Sequence, residues 1–418
     1  MSVGFEVSGV FKRGWWPFGK RTVTGQAIEA AVRKHSSGWL AQALTVWHDE
    51  GRVDIQLHPT GEALHFHLNG ESVMAETQTS SVGPGYHAYV IRLLDALERD
   101  LGVNWQWQGE EGCADESEYA VHRDFAALQL EMLTWLHHLA LSVLKNTETG
   151  GLLCWSPDAP TPVESGWALS PLGRWDRDFF ERVAATEPAG LHWAGEAFFP
   201  WWNEAPDALF HRQAAIALLN TDCTWKPPQD DAERLVLTRI DRALQASRAL
   251  DPKLALPDED WRAVQSYLAG EPFPPPPTPI GFRKGNMRWR FFDWTITLPG
   301  HLTQAIDDGV MVLYDDVHTV RLTSFVADSP DAIAKSVAQL VDNARARGQD
   351  IVDAADPTRA AAVLFHVDEA DGGYFQWMGS RGGPRGWLLV SLCYHEAADR
   401  SWAEAIWQGI EGHSRKAA

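Results

Sequence analysis

Residues 271–279 read Glu-Pro-Phe-Pro-Pro-Pro-Pro-Thr-Pro, and this stretch divides the chain more plainly than any other. Proline donates no hydrogen bond to a sheet ladder, and its ring breaks a helix interior. Such a run is extended and semi-rigid and has few ways to join a core. A chain of 418 residues is too long for one ordinary core, so a boundary is expected, and residues 271–285 read as a linker. The expected fold class is α+β. The expected organisation is a domain over 1–150, a tryptophan- and proline-rich helical region over 151–270 that is separate or continuous with that domain, and a second α+β domain over 286–418.

Residues 1–37 are hard to read. Gly14-Trp15-Trp16-Pro17-Phe18-Gly19 mixes turn formers with aromatics and suits a packed arm or an exposed anchor, which makes Trp15 and Trp16 candidate partner-binding residues. From Trp39 the pattern turns to strands: 40–47, 52–57, 64–68 and 72–79, separated by Asp49-Glu50-Gly51, Pro59-Thr60-Gly61 and Asn69-Gly70. Leu64, Phe66 and Leu68 alternate with His65, His67 and Asn69, the pattern of a half-buried antiparallel strand. A helix after Gly85 puts Val90, Leu93, Leu94, Leu97 and Leu101 on one face. This part reads as an antiparallel sheet covered by a helix, followed by a longer helix over 121–144.

The junction between strand and helix is the best local candidate for a small-ligand site. Gly83-Pro84-Gly85 opens the helix, where the first backbone N–H groups have no intrahelical partner and the dipole favours an anion. Thr79, Ser80 and Ser81 offer hydroxyls beside it, and His87 a proton donor or acceptor. The same residues are also what any hinge between a strand and a helix requires.

Helical stretches at 176–185, 207–219, 230–250 and 257–268 carry the middle of the chain, with Asp258-Glu259 after Pro257 as a helix start. The chain has 21 tryptophans, which favour aromatic-heavy cores but also supply recognition surfaces. Trp201-Trp202 is the second candidate partner-binding pair.

Beyond the prolines, strands are expected at 294–298, 310–314, 319–326, 361–367, 374–378 and 387–394. Helices are expected at 330–345, capped by Ser329 or Asp328, and at 401–410. The run Trp294-Thr-Ile-Thr-Leu-Pro-Gly300, then Asp308 to Tyr314, then Val320 to Phe325 and a helix resembles the opening of Mog1/PsbP/DcrB-type domains. That group includes small chaperones and adaptors linked to secreted bacterial effectors. The resemblance covers about residues 286–412 and brings no catalytic motif with it.

Composition excludes several classes. Net charge is −20, with 36 basic against 56 acidic residues, a balance that repels nucleic acid and anionic membrane. The one basic cluster, Arg283, Lys284, Arg288 and Arg290, is short. No apolar run is long enough for a membrane span, and the first residues lack the pattern of a signal peptide, so a cytoplasmic location is expected. Cys113, Cys154, Cys223 and Cys393 are scattered, against a disulfide scaffold or a cysteine zinc site.

Candidate chemistry is thin. His65 and His67 lie on one strand face at metal-ligand spacing, without a visible third ligand. His122-Arg123-Asp124 resembles a kinase tripeptide but lacks every supporting kinase motif, and its place before a long helix suggests capping. His137-His138 lacks the metalloprotease pattern, and Cys154 reads as inert. No cofactor is implied. The leading expectation is a non-enzymatic bacterial interaction factor: an adaptor, chaperone or immunity-type protein with a basic protein partner. The alternative is an enzyme or sensor of a small anion at Gly83-Pro84-Gly85.

Overall fold

The computed structural model describes residues 3–11, 23–109, 112–146, 151–156, 159–164, 166–326, 329–356, 358–366, 373–383 and 386–413. The fold is α+β, and the chain forms two compact units. The first comprises Met1–Ser156, Ser165–Cys223 and Arg234–Gly281. The second comprises Pro157–Glu164, Thr224–Glu233 and Phe282–Ala418. The chain thus visits the second unit twice before finishing the first.

The first unit opens with β1 (Gly4–Phe11), α1 (Gly25–His35), α2 (Gly38–Ala43), β2 (Thr45–Asp49), β3 (Arg52–Gln56), β4 (Leu64–Asn69), β5 (Ser72–Gln78), α3 (Pro84–Leu101) and β6 (Val103–Trp105). The strands make an antiparallel sheet in the order β2-β3-β4-β5-β1-β6. Register sets the inner face: Val53 lies opposite Phe66, Phe66 opposite Ala75 and Ala75 opposite Val7, all buried. The intervening residues, Asp54, His65, Glu76 and Glu6, form a row across the outer face. That is the alternation expected from β4, extended over four strands. The buried stripe of α3, through Val90, Leu94 and Leu97, supplies the covering layer.

Two segments differ from expectation. Residues 40–43 belong to the one-turn helix α2 rather than to a strand, because Trp39, Leu40 and Ala43 all turn inward, a spacing that suits one helical turn. β1, in the region that resisted reading, is an inner strand whose Phe5 and Val7 alternate with Glu6 and Ser8.

After the short ladder of β7 (Gln108–Gly109) and β8 (Gly112–Cys113) come α4 (Tyr119–His122) and α5 (Phe125–Asn146). The single helix expected from 121 is broken by Arg123 at φ 56, and Asp124 caps α5 by accepting the Ala127 N–H at 3.0 Å. The rest is β9 (Gly151–Leu152), β10 (Thr161–Pro162, in the second unit), β11 (Ala168–Ser170), β12 (Gly173–Trp175), α6 (Arg177–Ala184), α7 (His192–Phe198), α8 (Ala208–Thr221), α9 (Asp231–Leu250) and α10 (Asp258–Leu268). α8 is apolar almost all round and buried from Gln213 to Asn220, the behaviour of a central helix.

The expected linker is fastened down over most of its length. Tyr267 donates to Phe273 O at 2.9 Å, Thr278 to Asp260 at 2.6 Å and Arg174 to Pro279 O at 2.9 Å. Gly281 N donates to Asn220 at 2.7 Å. Residues 271–281 are therefore a strap on the first unit, and the division falls between Gly281 and Phe282.

The second unit adds β13 (Asn286–Phe291), β14 (Trp294–Pro299), β15 (Thr303–Asp307), β16 (Val310–Tyr314), β17 (His318–Val326), α11 (Pro330–Ala346), β18 (Asp350–Asp356), β19 (Arg359–His366), β20 (Tyr374–Gly383), β21 (Gly386–Tyr394), α12 (Arg400–Gln408) and β22 (Glu411–Gly412). β13, β15 and β18 had no clear signal in the sequence. Seven strands form an antiparallel sheet in the order β15-β16-β17-β21-β20-β19-β18, and β10-β13-β14-β22 form a smaller one. Ser329 caps α11, whose Val337 and Val341 pack with Ala360 of β19. Among the described residues, no helix is long and apolar enough to cross a membrane.

Candidate functional site

The Gly83-Pro84-Gly85 junction is closed. Gly83 N donates to Thr79 O at 3.0 Å, Gly85 N to Trp201 O at 3.1 Å, and Trp201 N to Val82 O at 2.9 Å. A β carbon on Gly85 would lie 2.1 Å from the Trp201 indole, and Gly83 has φ +116. The helix start thus meets the backbone and ring of Trp201 where an anion was expected.

The hydroxyls and the histidine are also taken. Thr79 donates to Val3 O at 3.0 Å, so it accepts from His87 Nδ1, 2.8 Å away. His87 Nε2 faces Asp115 Oδ1 at 3.2 Å and Ser117 Oγ at 3.3 Å. Burial alone would raise the pKa of Asp115. The His87 hydrogen bond and charge and the N–H groups of Ala120 and Ser117 outweigh it and hold the carboxyl below its ordinary value. A serine, a histidine and an aspartate meet here without forming a nucleophilic triad. The Ser117 hydroxyl and the carboxylate share one ring nitrogen, whereas a triad places them on opposite nitrogens. The hydroxyl on the opposite nitrogen, that of Thr79, gives its proton to Val3 O, and Thr79, His87 and Asp115 have no exposure. Ser80 is buried with its N–H on Val3 O, and half-buried Ser81 donates to Thr60 O at 3.4 Å.

Trp201 and Trp202 are core residues, 0% and 3% exposed, which corrects their reading as partner anchors. Trp201 packs on Phe210 at 4.4 Å and Trp202 stacks on Phe199 at 5.8 Å. Trp15 and Trp16 lie outside the described residues. His65 and His67 do share the outer face of β4, but His65 pairs with Asp54 at 2.7 Å and His67 with Glu76 at 3.0 Å. Among the described residues, no group of three or more potential ligands is arranged for a metal ion. The Cys154 thiol is pushed up to about 12 by burial, which suits an inert residue.

An open cleft of about 970 Å³ lies elsewhere in the first unit, between α7, the loop leading to α8, α8 itself, β12 and the turn after α9. Arg212 of α8 lines it. This guanidinium is half-buried, its Nε is shielded without an acceptor, and the side chain has no hydrogen bond or ion pair. Burial lowers its pKa, and no neighbouring carboxylate offsets that.

Several polar groups around it are engaged. Asp207 caps α8 through Phe210 N at 2.8 Å and takes the Asn203 amide at 2.7 Å. Asp251 accepts the Lys253 N–H at 2.9 Å, and Gln213 donates to Glu196 O at 3.4 Å. Trp175 and Trp193 form an aromatic wall bridged by Phe179, whose ring centroid is 4.4 Å from one and 5.6 Å from the other. Arg212 was not singled out in the sequence. The available signal was that it is the one Asp, Glu, Lys or Arg between Asp207 and Asp222.

No family model matches the chain, and no curated protein matches it. Nine solved chains do. One, from the crystal structure of a protein of Bacteroides thetaiotaomicron VPI-5482, is 14% identical with a TM-score of 0.25, over 29% of this chain and 46% of that one. A likeness of that size carries no argument about fold or function.

Proposed function

We propose that the chain is a non-enzymatic binding protein whose first unit takes a small anionic ligand in the cleft at Arg212. The observation that carries this is the half-buried guanidinium without any partner. Desolvating a charge is costly unless a counter-charge or acceptors compensate it, and an anion entering the cleft does so. The reading as a receptor rests on the carboxylates of the lining: Asp207 is committed to a helix cap and Asp251 to a turn, and the third, Glu196, is solvent-exposed, where nothing sets it up as an acid or base. A cytoplasmic setting goes with this reading, since none of the four cysteines is in a disulfide. The test is a thermal-shift screen of organic carboxylates and phosphates against the full chain and Arg212→Met. An anion should raise the melting temperature of the parent and leave the variant unmoved. Equal shifts in both, or none in either, would remove the proposal.

A second reading, an adaptor, chaperone or immunity-type protein of a secretion or conflict system, is favoured by Phe292. This residue is 62% exposed at the β13–β14 turn and has φ 52. A bulky side chain at positive φ is strained, and an exposed ring adds to that cost what a protein partner would recover. The resemblance to Mog1/PsbP/DcrB-type domains points the same way, and the net charge of −20 suits a basic partner. Phe292→Asn should relieve the strain while losing any protein that co-purifies stoichiometrically from the native host. An unchanged co-purification would count against Phe292 as the anchor.

A further inference from the structure

We infer that the Arg212 cleft is built for a singly charged organic carboxylate with a flat apolar body, rather than for a phosphate or a nucleotide. This rests on the proposed anion site and narrows it by charge, by wall chemistry and by shape.

Charge comes first. The lining contains two guanidinium groups, of Arg174 and Arg212, against the three carboxylates of Glu196, Asp207 and Asp251. Arg174 already donates to Pro279 O. One uncommitted guanidinium matches one carboxylate, whose two oxygens fit its fork in a bidentate pair. A phosphate dianion would leave a charge facing an acidic lining, within a chain of net charge −20. Phosphate sites instead gather several cations or backbone N–H groups around the anion. At the start of α8 on this cleft, the Phe210 N–H is engaged by Asp207.

The walls come second. Leu209, Arg212 and Ile216 lie on one stripe of α8 at spacings of three and four, so the charged group sits between apolar neighbours. Trp175 and Trp193 add two indoles, and Leu254 closes the lining from the turn after α9. Arg182 lies over the Trp193 ring, its guanidinium carbon 4.3 Å from the centroid. That contact orients the indole. The volume of about 970 Å³ lies at the upper end of the range for small-molecule sites and admits such a ligand.

The experiment is isothermal titration of the full chain with 3-phenylpropionate and indole-3-acetate, their neutral amides, inorganic phosphate and adenosine monophosphate. The acids should bind about tenfold or more tightly than their amides, the effect of one charge-assisted pair. Arg212→Met should make acid and amide equal, and Arg212→Lys should restore only part of the difference because it lacks the fork. Trp193→Ala should weaken acid and amide by the same factor. Preferential binding of phosphate or the nucleotide, lost in Arg212→Met, would overturn this inference and leave the anion site standing. Acid and amide binding equally to the parent would also overturn it. If no anion of either kind binds, the proposed function falls with it.

Discussion

The glycine junction and the Arg212 cleft are two places in one unit where an anion is expected on opposite grounds. At the junction a motif suggests a site, and the structure fills it: Trp201 meets the helix start, Thr79, itself donating to Val3 O, takes the near side of His87, and Asp115 and Ser117 take the far side. At the cleft no motif exists, yet a cation is left without an acceptor. A binding site is better marked by a polar group whose partners are missing than by residues of a promising type, because stable interiors pair what they bury.

The largest test of this contrast is at the closed side. Asp115→Ala would strand His87 and the N–H groups of Ser117 and Ala120 in a buried pocket. It should cost about 3–5 kcal/mol in urea denaturation. A loss under 1 kcal/mol would mean the network is looser than its distances indicate.

A second arginine sharpens the comparison. Arg283, in the second unit, is buried; its Nε donates to Gly300 O at 2.7 Å and its Nη2 to Leu302 O at 2.7 Å, and its guanidinium lies 5.4 Å from the Trp289 centroid. Arg283→Met leaves those carbonyls unsatisfied and should cost about 2–3 kcal/mol. Arg212→Met should do the opposite in the absence of ligand, raising stability by about 1 kcal/mol, since a partly solvated charge with no partner gives way to an apolar side chain. If both variants lose stability alike, Arg212 has a structural partner and the cleft loses its distinction.

The smallest effect is expected at His318, which has partners but is only partly buried. Hydrogen bonding to Asp315 raises its pKa against the effect of burial, and the charges of Asp315 and Asp399 add to the rise. The ring also lies 4.2 Å from that of Trp402, and His301 shares Asp315. A raised pKa stabilises the fold fully below the unfolded value of about 6.5 and is lost as pH rises through the folded value. The stability advantage of the parent over His318→Gln should therefore shrink between pH 5.5 and pH 8.5 by under about 1 kcal/mol, given the solvent screening. A growing advantage would reverse the assignment.

How much was legible followed from how local the cause was. α3, β4, β5 and α11 were readable because periodicity, a glycine turn and a Ser329 cap all act within a few residues. α2 was not, because Trp39, Leu40 and Ala43 fit a strand or a single helical turn until their neighbours are known. The break at Arg123 rests on one residue at positive φ that its type does not announce. The junction was legible as a hinge, but its closure depends on Trp201, far along the chain. Arg212 was visible as a lone charge in an apolar helix. That it has no partner is a property of every carboxylate that does not come near, and only the folded chain reveals that.

The interleaved order of segments bears on synthesis. As the ribosome releases this chain, β10 emerges long before its partner strand, since Thr161 pairs with Arg288 and Pro162 with Met287. Until β13 has emerged, the 157–164 segment has no sheet to join, although residues on either side of it already belong to the first unit. A nascent chain stopped at Gly281 therefore leaves 159–164 and 224–230 without the second unit they belong to, and protease should cut them there faster than in the finished protein.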